Sequence, residues 1–184
     1  MRSIVLYYFT FLLTHLSFAQ NKISDQKVVL ITLDGLRWQE LFTGADPLII
    51  KNENFVKHPD HLYDWAWENK LEKRRSLLMP FVWSEIVKIG QIFGNRNQGS
   101  KVNLTNKLLF SYPSYNEILT GRADDRSINS NDKIPNPNET VLEQYAKNYN
   151  PIKVAAFASW DVFDYIINEE RSKVYTNCGF EPSS

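Results

Sequence analysis

The sequence predicts an α/β fold with a mostly parallel sheet flanked by helices. Three observations carry that expectation. Residues 27–33 are a continuous β-branched and aliphatic run, the pattern of a strand buried on both faces of a parallel sheet. Strand-like runs then alternate with helix-period segments as far as residue 176. Hydrophobic residues make up 43% of the 184 and aromatics 14%, enough for the core of one modest domain and too many for a disordered chain.

Lys plus Arg number 21, as do Asp plus Glu, so the formal net charge is zero. That gives no whole-chain electrostatic reason to expect nucleic acid or an anionic membrane as partner. There are no internal repeats.

The first 19 residues read as a secretory signal peptide. Arg2 gives a positive start, residues 4–13 are apolar apart from Thr10, and Ser17-Phe18-Ala19 supplies small residues before a cleavage point. The apolar run is shorter than the roughly 20 residues of a spanning helix, so no stable membrane anchor is expected. No cysteine follows the small residues to take a lipid. The chain is thus expected to be exported, to a periplasm or the outside, after cleavage near Ala19. Cys178 is the sole cysteine and has no internal disulfide partner. Two sequons, Asn103-Leu104-Thr105 and Asn138-Glu139-Thr140, matter only where the source glycosylates.

Residues 20–184 then divide as follows. The 27–33 strand ends at Asp34-Gly35, where glycine allows a sharp exit. Leu36, Trp38, Leu41 and Phe42 suit a short helix or turn, and residues 43–47 a turn. Residues 51–75 read as a polar surface excursion with one helix near 60–72. The spacing of Leu78, Phe81, Val82, Ile86 and Ile89 predicts a helix over 77–89, with Pro80 in its first turn and Gly90 as its stop. Residues 91–94 and 102–105 read as short strands. Leu108-Leu109-Phe110 leads into Ser111, and a short amphipathic segment then runs to Gly121. Residues 123–137 form a long Asp, Asn, Ser and Pro loop, a type that is usually functional or mobile. Thr140 caps a helix over 141–149, residues 152–157 give a strand, 160–168 a helix, and 173–176 the start of a strand.

Two residues stand where chemistry is done. Asp34 lies at the carboxyl end of the first predicted strand, where ligands of open α/β sheets bind and where a carboxylate can hold a divalent metal. It also fits a cap of the Leu36 turn. Ser111 lies between an apolar run and a helix start, whose free N–H groups and dipole favour an anionic substrate. It also fits an N-cap. A serine nucleophile needs a base or a metal. The three histidines are His15, His58 and His61, none of them near Ser111 in sequence, so metal activation fits better than a triad. His58-Pro59-Asp60-His61 has metal-pair spacing but fits a solvated loop, and Asp124 and Asp125 fit a solvated turn.

Together the two segments resemble the alkaline phosphatase superfamily, which includes sulfatases and nucleotide pyrophosphatase/phosphodiesterases. Thr32-Leu33-Asp34-Gly35-Leu36-Arg37 looks like the phosphodiesterase branch. Ser111-x-Pro113-Ser114 followed by Leu119-Thr120-Gly121-Arg122 is similar to the sulfatase signature. The resemblance covers residues 27–122 and implies an alkaline-phosphatase-like fold. It implies a small phosphoester substrate, Asp34 as a metal ligand, Ser111 as nucleophile and metal ligand, and two divalent ions, typically zinc. Backbone N–H groups near Tyr112 would steady the developing charge, and Asn131, Asn136 and Trp160 are candidate substrate contacts.

Tyr115 stands where formylglycine sulfatases usually carry arginine, and Gly35 where sulfatases often have a second aspartate. Both favour an unmodified serine. The family completes its metal site with later Asp and His residues, and no histidine follows Ser111. The expectation is therefore the N-terminal portion of a longer, truncated enzyme. Two alternatives stand beside it: a non-catalytic exported binding or scaffold domain of the same fold, and a sulfatase.

Overall fold

The computed structural model describes residues 27–149 and 153–179. Residues 27–33 and residues 34–179 fall into separate units of the chain.

In the second unit the helices are α1 (Trp38–Thr43), α2 (Pro47–Ile50), α3 (Pro59–Ala66), α4 (Leu71–Leu78) and α5 (Val87–Ile89), the last continuing a wider π-type turn at Val82–Ile86. After a 3-10 turn at Arg96–Gln98 come α6 (Ser111–Thr120) and α7 (Val141–Asn148). Strand β1 (Ala155–Ala158), helices α8 (Phe163–Ile167) and α9 (Glu169–Ser172), and strand β2 (Tyr175–Cys178) complete the described part. β1 and β2 pair in parallel, with Ala155 opposite Tyr175 and Ala158 opposite Cys178. The architecture is mixed helix and strand, with a small two-stranded parallel sheet, which is compatible with the α/β class.

Local chemistry sets most boundaries. The Thr140 side chain accepts from the Glu143 N–H and opens α7. Asp46 caps α2 by accepting from the Leu48 N–H, with Pro47 in the first turn. The helix expected over 77–89 starts only at Pro80, because Leu77 and Leu78 end α4 and Met79 leaves the helical region (φ −132°, ψ 66°), and it stops at Gly90 as expected. The helix expected near 60–72 is instead two helices, α3 and α4, because the chain turns extended at Trp67 (φ −91°, ψ 133°). β2 begins two residues later than expected because Lys173 is left-handed (φ 57°) and closes α9.

The expected strand at 27–33 is not formed. None of these residues lies in a strand, and Val28, Val29, Leu30, Ile31 and Leu33 are 59–93% exposed. The run reports β-propensity, but a strand also needs a neighbour for its N–H and C=O groups, and it has no ladder among the described residues. The short strands expected at 91–94 and 102–105 are likewise absent. There side chains take the place of a ladder: Gly94 N–H donates to Ser100 Oγ (3.0 Å) and Arg96 to Asn103 Oδ1 (2.6 Å).

The main core gathers Tyr112, Tyr115 and Leu119 of α6 with Ile128, Val162, Ile166, Ile167 and Val174. A smaller one joins Ala45, Ile50 and Ala66. Beside it the Arg74 guanidinium lies 4.4 Å from the Trp67 ring centroid and that of Arg75 lies 3.6 Å from Trp83. Gly44 (φ 78°) sits so close to Arg74 that a Cβ would come within 2.5 Å of its backbone carbon, so only glycine fits. Cys178 is buried. The signal segment and its cleavage point lie outside the described residues. No helix among the described residues is long and apolar enough to cross a membrane.

Candidate active site

Helix α6 presents two faces. Tyr112, Pro113, Tyr115, Asn116 and Leu119 are buried against the core. Ser111, Ser114 and Glu117, at helical spacing, are left towards the other side. Pro113 is tolerated because the first-turn N–H groups have no intrahelical partner. Gly121, left-handed at φ 74°, ends the helix.

Ser111 and Asp34, 77 residues apart, meet across this start. Ser111 Oγ donates to Asp34 Oδ2 at 3.2 Å, with Oδ1 at 3.5 Å. Asp34 Oδ1 also accepts from the Gly35 N–H at 3.1 Å, a turn that Gly35 permits at φ 72°. Asp34 is exposed and Ser111 half-buried.

The polar loop at 123–137 returns to the same place. Tyr112 N–H donates to Asn131 Oδ1 at 3.0 Å. Asn131 is thus next to Ser111, and the Tyr112 N–H that was expected to face an anion is spent on it. Tyr112 itself is anchored by its hydroxyl, which donates to the Ile134 carbonyl (2.7 Å). Burial pushes that phenol well above its usual range.

Other expected contacts lie elsewhere. Asn136 is fully buried. Its Nδ2 donates to Asn116 Oδ1 (3.2 Å) and the Ile166 carbonyl (3.0 Å), and its Oδ1 accepts from Asn138 N–H (2.9 Å). With every polar atom of its carboxamide engaged, Asn136 braces α6 rather than facing a ligand. Trp160 is half-buried, edge-on to Phe163 at 6.4 Å and packed on the main core. Asp124 and Asp125 are not a solvated turn. Asp124 accepts from Asn138 Nδ2 (2.8 Å), the main cause of its lowered pKa. Asp125 Oδ2 accepts from the Lys107 N–H (2.9 Å), while its Oδ1 is buried without a hydrogen bond among the described residues. His58 and His61 are exposed at the start of α3.

Sequence reasoning missed the ion cluster that pins the loop. Glu143 is fully buried and accepts from Arg171 Nη2 (2.7 Å) and Lys147 Nζ (2.8 Å). The Arg171 hydrogen bonds, opposed by burial, hold its carboxyl below the usual range. Arg171 also donates to the carbonyls of Asn136 and Asn138, both at 2.8 Å. A glutamate at an inward position of an amphipathic helix was the available signal, and it lacked only its partner. Glu117 was missed too.

Asp34 and Ser111 offer two oxygen donors, a set suited to a hard or borderline divalent ion. No group of three or more His, Cys, Asp or Glu side chains converges among the described residues. The pair could hold part of a metal's coordination shell. Comparison with protein-family models, with curated proteins and with solved structures found no match to this chain.

Proposed function

We propose that the chain carries the nucleophile half of an exported, metal-dependent phosphoester hydrolase, with Ser111 as nucleophile and Asp34 as a metal ligand. The observation that carries this reading is the 3.2 Å contact between the Ser111 hydroxyl and the Asp34 carboxylate at the head of α6. Phe110, not Ser111, is the N-cap of α6, and Asp34 accepts from Ser111 in addition to the Gly35 N–H of its own turn. Here each reaches the other across 77 residues.

Asp34 and Ser111 would hold a divalent ion, zinc by the family resemblance, with the remaining ligands supplied from outside the described residues. When bound, such an ion acts as a Lewis acid and lowers the pKa of a hydroxyl it contacts. The chain's own residues do the rest. Asp34 orients the Ser111 hydroxyl by accepting its hydrogen bond. Ser111 would lose its hydroxyl proton to solvent as its Oγ attacks phosphorus, the ester oxygen would leave with its electron pair and take a proton from water, and a second water would later release the phosphoryl group from serine. With the Tyr112 N–H on Asn131, the Ser114 N–H on the Phe110 carbonyl and none at Pro113, the start of α6 would favour phosphoryl charge chiefly through its dipole. Asn131, fixed by the Tyr112 N–H, keeps its Nδ2 as a donor for one of them.

The test is turnover of aryl phosphate mono- and diesters by the full gene product, with and without added zinc. Ser111→Ala is expected to abolish turnover and keep the fold. Undiminished turnover in that variant removes Ser111 from the mechanism. A folded protein with no phosphoester or sulfate-ester turnover under any metal favours the binding-domain reading.

A further inference from the structure

Glu117 lies nearly two turns along α6 from Ser111 and has no part in the chemistry above. Yet its carboxylate collects four hydrogen bonds. Oε1 accepts from the Thr105 N–H (2.6 Å) and hydroxyl (2.7 Å), and Oε2 accepts from the Asn106 N–H and Nδ2 (both 2.9 Å). Burial pushes this carboxyl up, and the Asn106 and Thr105 donors outweigh it, leaving the pKa at about 2. Four donors on one carboxylate make a strong, charge-assisted clamp.

What the clamp holds is the approach to Ser111. Residues 105 and 106 precede the turn at 107–110 that delivers the serine. Asn106 Nδ2 also reaches Ser114 Oγ (3.5 Å), and that hydroxyl donates to the Phe110 carbonyl (2.9 Å), one residue before Ser111. Between them Leu109 is held at φ 52°, a left-handed conformation that a leucine disfavours, with its side chain exposed. No packing compensates it there. Such a turn persists only where its surroundings over-determine it. Glu117 on one side and the Asp125 bond to the Lys107 N–H on the other supply that constraint.

We propose that Glu117 is a positioning residue. By tying Thr105 and Asn106 to α6 it fixes the strained turn at 107–110, and so sets Ser111 Oγ against Asp34. Without the clamp Leu109 relaxes to negative φ and residue 111 shifts from the carboxylate. The catalytic consequence rests on the nucleophile reading of Ser111, while the geometric claim stands apart from it.

The geometry is measured with a D34C/S111C thiol pair in the full chain, equilibrated in a glutathione redox buffer. The crosslinked 34–111 peptide, quantified by mass spectrometry, gives the effective concentration of one thiol at the other and is blind to Cys178. Adding E117A is expected to lower that concentration on the order of tenfold, since loss of orientation is read directly as loss of effective molarity. N106A, which leaves three of the four bonds to Glu117, lowers it less. Ile167→Val, which weakens the core elsewhere, leaves it unchanged even though it lowers Tm. A value for E117A equal to that of the parent, with a cooperative melt retained, overturns the proposal. If E117A does not fold, N106A and T105V carry the test, and no drop in either overturns it equally. Where the gene product turns over an aryl phosphate, E117A is expected to lower kcat with little change in KM. Turnover indifferent to S111A would count against the nucleophile reading alone, and the thiol pair would still decide the role of Glu117.

Discussion

Ser111 and Asp34 face each other across one hydrogen bond, but their two sides are held in opposite ways. On the Ser111 side α6 buries five residues. Asn131 caps its Tyr112 N–H, and Glu117, Ser114 and Asp125 tie the chain before it. Behind these stand the Asn116–Asn136–Asn138 network and the buried Glu143–Arg171 pair. On the other side Asp34 is exposed, and besides Ser111 it bonds only its neighbour Gly35 among the described residues. The geometry of the pair therefore resides on the Ser111 side. The Ser111 hydroxyl is placed in advance by packed and hydrogen-bonded groups, whereas the Asp34 carboxylate is held by little besides it.

That contrast orders the expected effects. Ser111→Ala comes first, with a fall in phosphoester turnover on the order of a thousandfold or more and an unchanged Tm. Glu143→Ala comes next. It removes a fully buried acceptor from Arg171 and Lys147 and is expected to cost about 3 kcal/mol in urea unfolding. A loss well under 1 kcal/mol would mean that the loop carrying Asn131 is held by something else. Asn136→Ala follows, at about 2 kcal/mol by the same measurement, because Asn116 and the Ile166 carbonyl lose buried bonds.

Acid gives the fourth. The Glu117 carboxyl is lowered from 4.5 to about 2, so it binds its proton more weakly folded than unfolded. Its contribution is present in full above pH 4.5, shrinks as pH falls from there, and is gone once pH passes below about 2. E117Q lacks this dependence, so the stability gap between the two proteins should close over that window. A gap that stays constant to pH 2 would remove the charge from the clamp's strength. Smallest is Asp34→Ala, expected to change stability by less than about 0.5 kcal/mol because Asp34 is exposed and lightly bonded. A larger loss would erase the contrast between the two sides.

Some of this could be read from residue order alone. Thr140 before α7, Pro80 in a first turn, and the glycines after residues 89 and 120 act through local backbone chemistry, so the elements they bound were legible. Asp34 and Ser111 could be paired on paper because each ends a run of recognisable type, and the structure brings them within hydrogen-bond reach. What was illegible depends on partners distant in sequence. Residues 27–33 have the composition of a buried strand, and composition cannot supply a neighbouring ladder. Asn136 and Asn138 sit in a loop that looks solvated, yet are buried because Asn116 satisfies them from 20 and 22 residues away. Glu117 carries no signal in the sequence, since the four donors that give it a role come from an unpatterned stretch 11 and 12 residues earlier.

If Ser111 takes the phosphoryl group, as proposed, the group is found on it during turnover. The full gene product is incubated with an aryl phosphate and zinc, quenched in acid during turnover, digested, and its peptides are mapped. A phosphoryl group is expected on Ser111, absent from the S111A protein and from a sample without substrate. Steady turnover with Ser111 unmodified at every quench time, and equal turnover by S111A, would contradict it.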